Sequence, residues 1–297
     1  MIAQKFEGSG IPPVTVEGTT VAEVFARAAT SLKTGRSGSQ DGPLVSVIVS
    51  AFNPDLDLLR LSVQSVLDQS SANVEIFVVD DASEVESSAA MERMFMGIPQ
   101  VRYLRIATNS GPYVGRNLAI SQAKGDFVAI QDADDWSHPD RFAAQIAAFQ
   151  ATPELRLVTT PHIRIDRAGR VQMEANFTIF GDGPMTSMFR RAVFDEVGTF
   201  ANVRSRGDVE MRERIHAYYG QQALEEIEAP AMLCFADSAT LSQKTKTEAA
   251  EYLQLFRTNI SRRRSFANLR RDNIRIGQDH HIIVPLALRP VQEGDAQ

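Results

Sequence analysis

Between residues 44 and 151, short runs of apolar, β-branched residues alternate with stretches whose apolar positions recur every three to four residues. The first kind predicts buried strands at residues 45–50, 75–79, 101–106 and 127–130, and the second predicts helices at 56–69, 87–95, 114–123 and 139–151. Strand, helix, strand in that order makes βαβ units, so this half of the chain predicts a doubly wound, mostly parallel α/β sheet with helices on both faces. From residue 155 the pattern is mixed and richer in β structure, with strand-like runs at 155–159 and 162–165, a turn at Ala168-Gly169 with another strand after it, and helical spacing at 191–197, 209–219 and 247–266. Ahead of the first strand, residues 21–29 predict one helix, started by Thr19 or Thr20 and followed by a Gly/Ser-rich linker at 34–42. The expected organisation is a helical leader and linker (1–43), a main α/β domain (44–245) and a helical, arginine-rich tail (246–297), with no internal repeat.

The polar residues at the strand ends change the picture from fold to site. The apolar run Phe127-Val128-Ala129-Ile130 closes in Gln131-Asp132-Ala133-Asp134-Asp135-Trp136, three carboxylates within four residues. In extended backbone Asp132 and Asp134 project to one side, and like charges so crowded are tolerable beside a cation or in water. A divalent metal such as Mg²⁺ or Mn²⁺ suits an oxygen-only set in which a substrate's phosphates complete the shell; the plainer alternative is a solvated acidic turn before the helix that follows. Two further strand ends carry ligand-type side chains: Ser50-Ala51-Phe52-Asn53-Pro54, where Phe52 could stack on a nucleobase or sit in the core, and Val78-Val79-Asp80-Asp81-Ala82-Ser83, where a carboxylate could accept from a base N–H or a ribose hydroxyl, or help cap a helix. A βαβαβ sheet brings these ends together at its carboxyl edge, where open α/β sheets bind ligands.

Composition bounds the function. With 297 residues and 43% hydrophobic content the chain can bury a large core. No apolar run approaches the roughly 20 residues that span a bilayer, and residues 1–7 lack the layout of a secretory signal, so the cytoplasm is the expected location. The formal charge of −6 disfavours a nucleic-acid binder. Cys234, the single cysteine, lies in an apolar stretch that suits a buried structural thiol.

Taken as an ordered set, these segments resemble the family 2 glycosyltransferases of GT-A fold. The resemblance runs through residues 45–53, through Val78-Val79-Asp80-Asp81-Ala82-Ser83, through Asn109-Ser110-Gly111-Pro112 with Gly115-Arg116-Asn117, and through residues 125–135 with their DxD-type cluster, covering about 44–242. It implies a Rossmann-like, mostly parallel sheet with a mixed, β-rich acceptor half, and an inverting, hexosyltransferase-type enzyme. The donor would be a nucleoside-diphosphate sugar, in this family usually a UDP-sugar, and the acceptor a saccharide or a lipid-linked acceptor, in surface-polysaccharide synthesis. Carried over residue by residue, it implies that Phe52 and Asp81 hold the base, that Asp132 meets the ribose or sugar, and that Asp134 binds the Mn²⁺ or Mg²⁺ bridging the diphosphate. Ser50, Asn53, Asn109, Gly111, Arg116, Asn117 and Ala133 would line the same donor pocket. Asp208, in Ser205-Arg206-Gly207-Asp208, would be the catalytic base.

Departures from the family pattern are equally legible. Many relatives place an acid before the base, where this chain has Gly207, leaving Glu210 or nothing to share its role; many also carry a histidine in the stretch corresponding to residues 235–242, where this chain has none, so that either Asp237 substitutes or the metal relies on Asp134, the diphosphate and water. His280-His281 fall too far along to be called ligands. Tyr252, Phe256 and Ile260 make an apolar helical stripe ahead of an arginine cluster, which would either pack back on the domain or seat the protein peripherally on anionic lipid at the inner face of the membrane. The alternative function is a catalytically silent nucleotide-sugar binder or assembly subunit with the same fold; retention of both Asp134 and Asp208 argues for an enzyme.

Overall fold

The computed structural model describes residues 11–13, 16–32, 42–70, 72–174 and 177–236. In chain order the first half contains α1 (Val21–Ser31), β1 (Leu44–Ala51), α2 (Leu56–Leu67), β2 (Asn73–Asp80), α3 (Val85–Phe95), β3 (Val101–Arg105), α4 (Pro112–Ile120), β4 (Phe127–Asp132), β5 (Trp136–Ser137) and α5 (Arg141–Ala151). The second half contains β6 (Leu157–Thr159), β7 (His162–Ile165), β8 (Phe180–Gly181), β9 (Met188–Arg190), α6 (Ala192–Glu196), α7 (Gly207–Tyr219), β10 (Leu224–Glu226) and β11 (Met232–Phe235).

A seven-stranded sheet in the order β10-β6-β9-β4-β1-β2-β3 forms the centre, and a four-stranded sheet, β5-β11-β7-β8, stands beside it. β4, β1, β2 and β3 are mutually parallel, and β9 runs antiparallel between β4 and β6. Strand burial explains the near-continuous apolar runs, since both faces of a parallel sheet are covered. Val45, Val47 and Val49 of β1 pack with Leu59, Val63 and Val66 of α2, Met91 of α3 and Phe142, Ile146 and Phe149 of α5. On the opposite face, Ile48 of β1 and Ile130 of β4 pack with Tyr113 and Ala119 of α4, Val193 and Phe194 of α6 and Met211 and Ile215 of α7. The result is a three-layer α/β/α sandwich.

Local signals account for the helix starts. Asp55 caps α2, its Oδ1 accepting from Asp57 N at 3.0 Å and Leu58 N at 3.3 Å. Thr20 caps α1 by accepting from Glu23 N, while Glu23 reaches back to Thr19 N at 2.8 Å, a reciprocal arrangement of the capping-box kind. α1 lays Val21, Val24, Phe25 and Ala28 against Leu58 of α2, Trp136 of β5, Ile163 and Ile165 of β7 and Leu233 of β11, so it closes the second sheet.

The predicted strands and helices of the first half are present, with ends shifted by one to three residues. The second half differs more. After the turn at Ala168-Gly169, Val171 makes a single bridge to Ile165, and the next strand is the two-residue β8. β5, β9, β10 and β11 had no sequence signal of their own, being two to four residues long and fixed by pairing with distant chain. Among the described residues no helix is long and apolar enough to cross a membrane. The helix expected at 247–266, the arginine cluster, Asp237 and His280-His281 lie outside the described residues.

Candidate active site

The carboxyl ends of β1, β2 and β4 lie side by side, with Ser50 in register with both Asp132 and Val79. Ser50 and Asp132 stand two residues beyond Ile48 and Ile130, so strand alternation turns them toward the face covered by α4 and α7. α4 can lie close to the sheet because residue 115 is glycine: a Cβ there would come within 2.8 Å of Val79 Cγ1. One residue on, Arg116 is 3% exposed and donates from Nη2 to Asp132 Oδ1 at 2.9 Å. Its Nε and Nη1 are buried with no hydrogen-bond partner among the described residues, and Ser50 Oγ is in the same condition. Buried donors are rarely left unused in native proteins, and an oxygen-rich ligand at this edge would satisfy them. Burial works against the charge on Arg116, but Asp132, Tyr113 and Asp208 more than offset it and hold its proton more firmly than usual.

Asp208 joins this group from the far half of the chain. It is the second residue of α7, whose preceding Arg206 has φ 61, in the left-handed region. Its Oδ1 accepts from Val209 N at 2.8 Å, and the Tyr113 ring packs against the preceding residue, Gly207. Burial raises the Asp208 pKa, against the pull of Arg116 and the Val209 amide, while Asp132 raises it further. A carboxylate with raised affinity for protons beside a fixed cation is what general-base chemistry requires. Glu210 is not free to assist: fully buried, it accepts from Arg214 Nη2 at 2.6 Å and from Arg214 Nε at 2.9 Å.

The three carboxylates of the acidic cluster have separate fates. Asp132 is held by Arg116. Asp135 is buried, accepts from Phe235 N at 3.0 Å, and is pushed far up by burial and by Asp134 and Asp132. Cys234 is itself buried, its thiol likewise pushed up by burial and by Asp135. Burial and the Asp132 charge push Asp134 up to about 7. A carboxyl made reluctant to ionise by a like charge is one that a cation would restore to its charged form. Among the described residues no group of three or more His, Cys, Asp or Glu side chains is arranged to hold a metal. The donors fit a hard divalent ion held by one carboxylate, with phosphate oxygens and water supplying the rest. Beneath the cluster a buried network fixes the backbone: Gln131 donates to the Asp135 carbonyl at 2.8 Å, Ser137 and Arg141 both donate to Gln131 Oε1, and Ser62 donates to the Asp132 carbonyl at 2.8 Å. Ala133, in this turn, is buried.

A second group forms beyond β1 and β2. Asp81 accepts from Ser110 N at 2.7 Å and Gly111 N at 2.8 Å, and its own amide donates to the Ala51 carbonyl. Burial raises its pKa, opposed by those two amides. Asn109 donates to the Asp81 carbonyl at 3.2 Å and is gripped in turn by Arg204, whose Nη1 and Nη2 donate to Asn109 Oδ1 and its carbonyl at 2.8 Å each. Asn53, at φ 44, receives Glu84 N on its side-chain oxygen at 2.9 Å and donates its own amide to Ser83 Oγ at 2.8 Å. Asp80 turns inward, accepting from Ser83 N, Ser88 and Tyr103. Phe52 is 53% exposed at this edge, an open aromatic face beside the Asp81 loop.

Of the residues read from sequence as candidates, Ser50, Arg116, Asp132, Asp134 and Asp208 share one neighbourhood, while Phe52, Asn53, Asp81, Asn109 and Gly111 form the adjoining group. Asn117 is directed elsewhere, its amide donating to the Phe200 carbonyl at 2.9 Å and receiving Phe200 N at 2.9 Å, which ties α4 to the loop leading into α7. Tyr113, Arg204, Gln131 and Arg141 escaped the sequence reading. Each acts through a partner brought near by the fold, and a tyrosine opening a helix or an arginine in a loop carries no signal of that.

This architecture is a doubly wound α/β fold with acids gathered at its carboxyl edge, and the comparisons give its family. Residues 46–206 match the family described as Glycosyl transferase family 2, and the chain belongs to it. The match stops two residues short of Asp208. Among curated relatives, the succinoglycan biosynthesis protein ExoO of Rhizobium meliloti is 35% identical over 104 residues, 35% of this chain and 29% of its own length. The putative glycosyltransferase EpsE of Bacillus subtilis is 31% identical over 130 residues, 43% of this chain and 46% of its own. An uncharacterised protein of Sinorhizobium fredii is 30% identical over 171 residues, 54% of this chain and 19% of its own. The matches thus span less than half the length of these relatives. Among solved structures, Staphylococcus aureus TarS 1-349 with UDP-GlcNAc superposes with a TM-score of 0.53 at 18% identity, over 70% of this chain and 64% of that one. Pyrobaculum calidifontis mannosyltransferase PcManGT with GDP-Man and Mn²⁺ gives 0.51 at 18% identity, over 78% and 68%. The fold is GT-A.

Proposed function

We propose that this protein transfers a hexose-type monosaccharide, with inversion, from a nucleoside-diphosphate sugar, a UDP-sugar, to a saccharide or lipid-linked acceptor in surface-polysaccharide synthesis. The observation that carries the reading is the meeting of Arg116, Asp132 and Asp208 from three distant segments at the carboxyl edge of the sheet, with unspent donors on Arg116. Family membership supports glycosyl transfer; the UDP-GlcNAc on TarS and the relatives in polysaccharide synthesis support the donor and acceptor classes.

In this reading Phe52 offers its ring to the base and the loop held by Asp81 flanks it. Asp132, fixed by Arg116, receives the ribose or sugar hydroxyls, and the free donors of Arg116 meet donor oxygens. Asp134 would hold Mn²⁺ or Mg²⁺; when bound, such an ion stabilises the charge that grows on a departing diphosphate. Asp208 takes the proton of the acceptor hydroxyl as its oxygen attacks the anomeric carbon, opposite the bond to the nucleotide, in one in-line displacement. The electron pair of that bond leaves with the diphosphate.

Thermal unfolding with UDP, with Mn²⁺ and with both tests the donor side. The combination is expected to raise the midpoint by more than the two separate shifts, and Asp134→Ala to remove the metal-dependent part. Asp208→Asn is expected to keep that shift and to lower UDP release from UDP-sugars by about 10²-fold or more, the scale of a general base. A UDP shift indifferent to Mn²⁺ in the unmodified protein would remove the metal from the reading, and full turnover by Asp208→Asn would remove the base.

A further inference from the structure

We propose that Gln131, with its amide locked by Arg141, is a positioning residue for the carboxylate of Asp134. The inference rests on Asp134 being the metal-binding acid and adds the groups that hold it in place.

Gln131 stands where strand alternation calls for an apolar residue. β4 turns Phe127 and Ala129 into the core shared with α2 and α5, and Gln131 continues that row, fully buried. A buried amide costs free energy unless each of its polar atoms is bonded, a condition that an apolar side chain in the same place would not carry. Both polar atoms of Gln131 are used twice. Oε1 accepts from Ser137 Oγ at 2.7 Å and from Arg141 Nη1 at 2.9 Å, while Nε2 donates to Ser62 Oγ at 3.1 Å and to the Asp135 carbonyl at 2.8 Å.

These bonds converge on one turn. Asp135 N donates to the Asp132 carbonyl at 3.3 Å, so Ala133 and Asp134 are the central residues of a four-residue turn. Both end carbonyls are held from beneath, that of Asp132 by Ser62 Oγ at 2.8 Å and that of Asp135 by Gln131. The chain just beyond is held too, since Ser137 N donates to Ser65 Oγ at 3.0 Å and Gln69 Nε2 donates to the His138 carbonyl at 2.8 Å. Ser62, Ser65 and Gln69 follow helical spacing along α2 and the turn that ends it, a buried polar stripe facing the acidic segment.

The direction of the Gln131 amide decides what the turn meets. A guanidinium only donates, so Arg141 requires the amide oxygen on its own side and leaves the amide nitrogen facing the Asp135 carbonyl. Arg141 is itself anchored, fully buried and donating also to Ser137 Oγ at 2.8 Å and to the Ile130 carbonyl at 3.0 Å. An amide turned the other way would set oxygen against oxygen at the end of the turn. With residues 132–135 fixed in this way, the backbone that carries Asp134 needs no reordering when a cation arrives. Outer groups that orient a ligand so commonly change metal affinity by about 10- to 100-fold when removed.

Thermal unfolding at fixed UDP and increasing Mn²⁺ gives the Mn²⁺ concentration at half of the metal-dependent rise, in the unmodified protein, Gln131→Glu, Ser62→Ala and Asp134→Ala. Gln131→Glu keeps the shape and the acceptor for Arg141 but sets an acceptor against the Asp135 carbonyl. Its added negative charge alone would tighten Mn²⁺ binding, so charge and geometry predict opposite signs. The expected result is a half-rise concentration at least about tenfold higher in Gln131→Glu, a smaller increase in Ser62→Ala, and an unchanged rise with UDP alone in both. A half-rise concentration in Gln131→Glu equal to or below that of the unmodified protein overturns the proposal, because a role in stability alone moves the midpoint and not the Mn²⁺ requirement. Where Gln131→Glu gives no cooperative transition, Ser62→Ala decides by the same comparison. Loss of the metal-dependent rise in Asp134→Ala beside an unmoved Gln131→Glu removes this inference and leaves the metal reading standing. A UDP rise indifferent to Mn²⁺ in the unmodified protein removes both.

Discussion

His162 has a side chain 1% exposed, both ring nitrogens lack a hydrogen-bond partner among the described residues, and Glu174 Oε1 stands off at 3.7 Å. Burial, reinforced by Arg164 and opposed by Glu174 and Asp182, lowers its pKa from 6.5 to about 4. In that interval the unfolded chain binds the proton and the folded protein does not, so stability drops as pH falls, by about 2–3 kcal/mol between about pH 7 and about pH 4.5 for this one group. Asp134 and Asp208, whose pKa values are raised, act in the opposite sense and lose stability as pH rises. The comparison that isolates the histidine is His162→Gln against the unmodified protein by urea unfolding at both pH values. The variant is expected to lose less stability on acidification; equal losses would show that the imidazole is solvated or paired. Nothing in the local sequence His162-Ile163-Arg164-Ile165 announces this, because alternation places a histidine inward as readily as an apolar residue. The acids at the strand tips were legible for the opposite reason. A carboxylate that ends an apolar strand has its position set by the strand itself, as with Asp132 at the end of β4 and Asp81 one residue beyond β2.

At the scale of elements, α1 shows how far a short amphipathic segment reaches. Thr19, Thr20 and Glu23 announce its start in the sequence, and its apolar positions announce a buried face. What that face meets is decided by β5, β7 and β11, strands of two to four residues that lie more than a hundred positions further along the chain. Phe25 is fully buried there, so Phe25→Ala is expected to cost about 3–5 kcal/mol, read as a lower urea midpoint. A cost below about 1 kcal/mol would mean that α1 docks weakly. The strands β9, β10 and β11 were illegible because a run of three or four residues is too short for periodicity to speak, and pairing with residues up to about a hundred positions away stabilises it.

At the scale of the molecule, the two halves meet through hydrogen bonds that cross most of the chain. Arg204, four residues ahead of Asp208, grips Asn109, and Asn109 sits on the loop that Asp81 holds at the proposed base pocket. Asn117 ties α4 to Phe200 in the same stretch. Nucleotide binding and placement of the base would thus share a scaffold. Arg204→Ala is expected to lower stability by about 1–3 kcal/mol and to shrink the UDP-dependent rise in unfolding temperature, though residue 204 precedes α7 and lies far in sequence from the donor segments. Undiminished UDP binding by Arg204→Ala would show that the two halves act independently.

The order of apolar runs and helical stripes was enough to set the parallel sheet, its two helical layers and the acids at its carboxyl edge, because each of these depends on neighbours within a turn or a strand. Convergence was decided by tertiary structure alone. How Arg116 reaches Asp132, 16 residues on, and why residue 207, packed on the Tyr113 ring about 90 residues away in sequence, has no side chain depend on contacts between segments, which local periodicity does not encode.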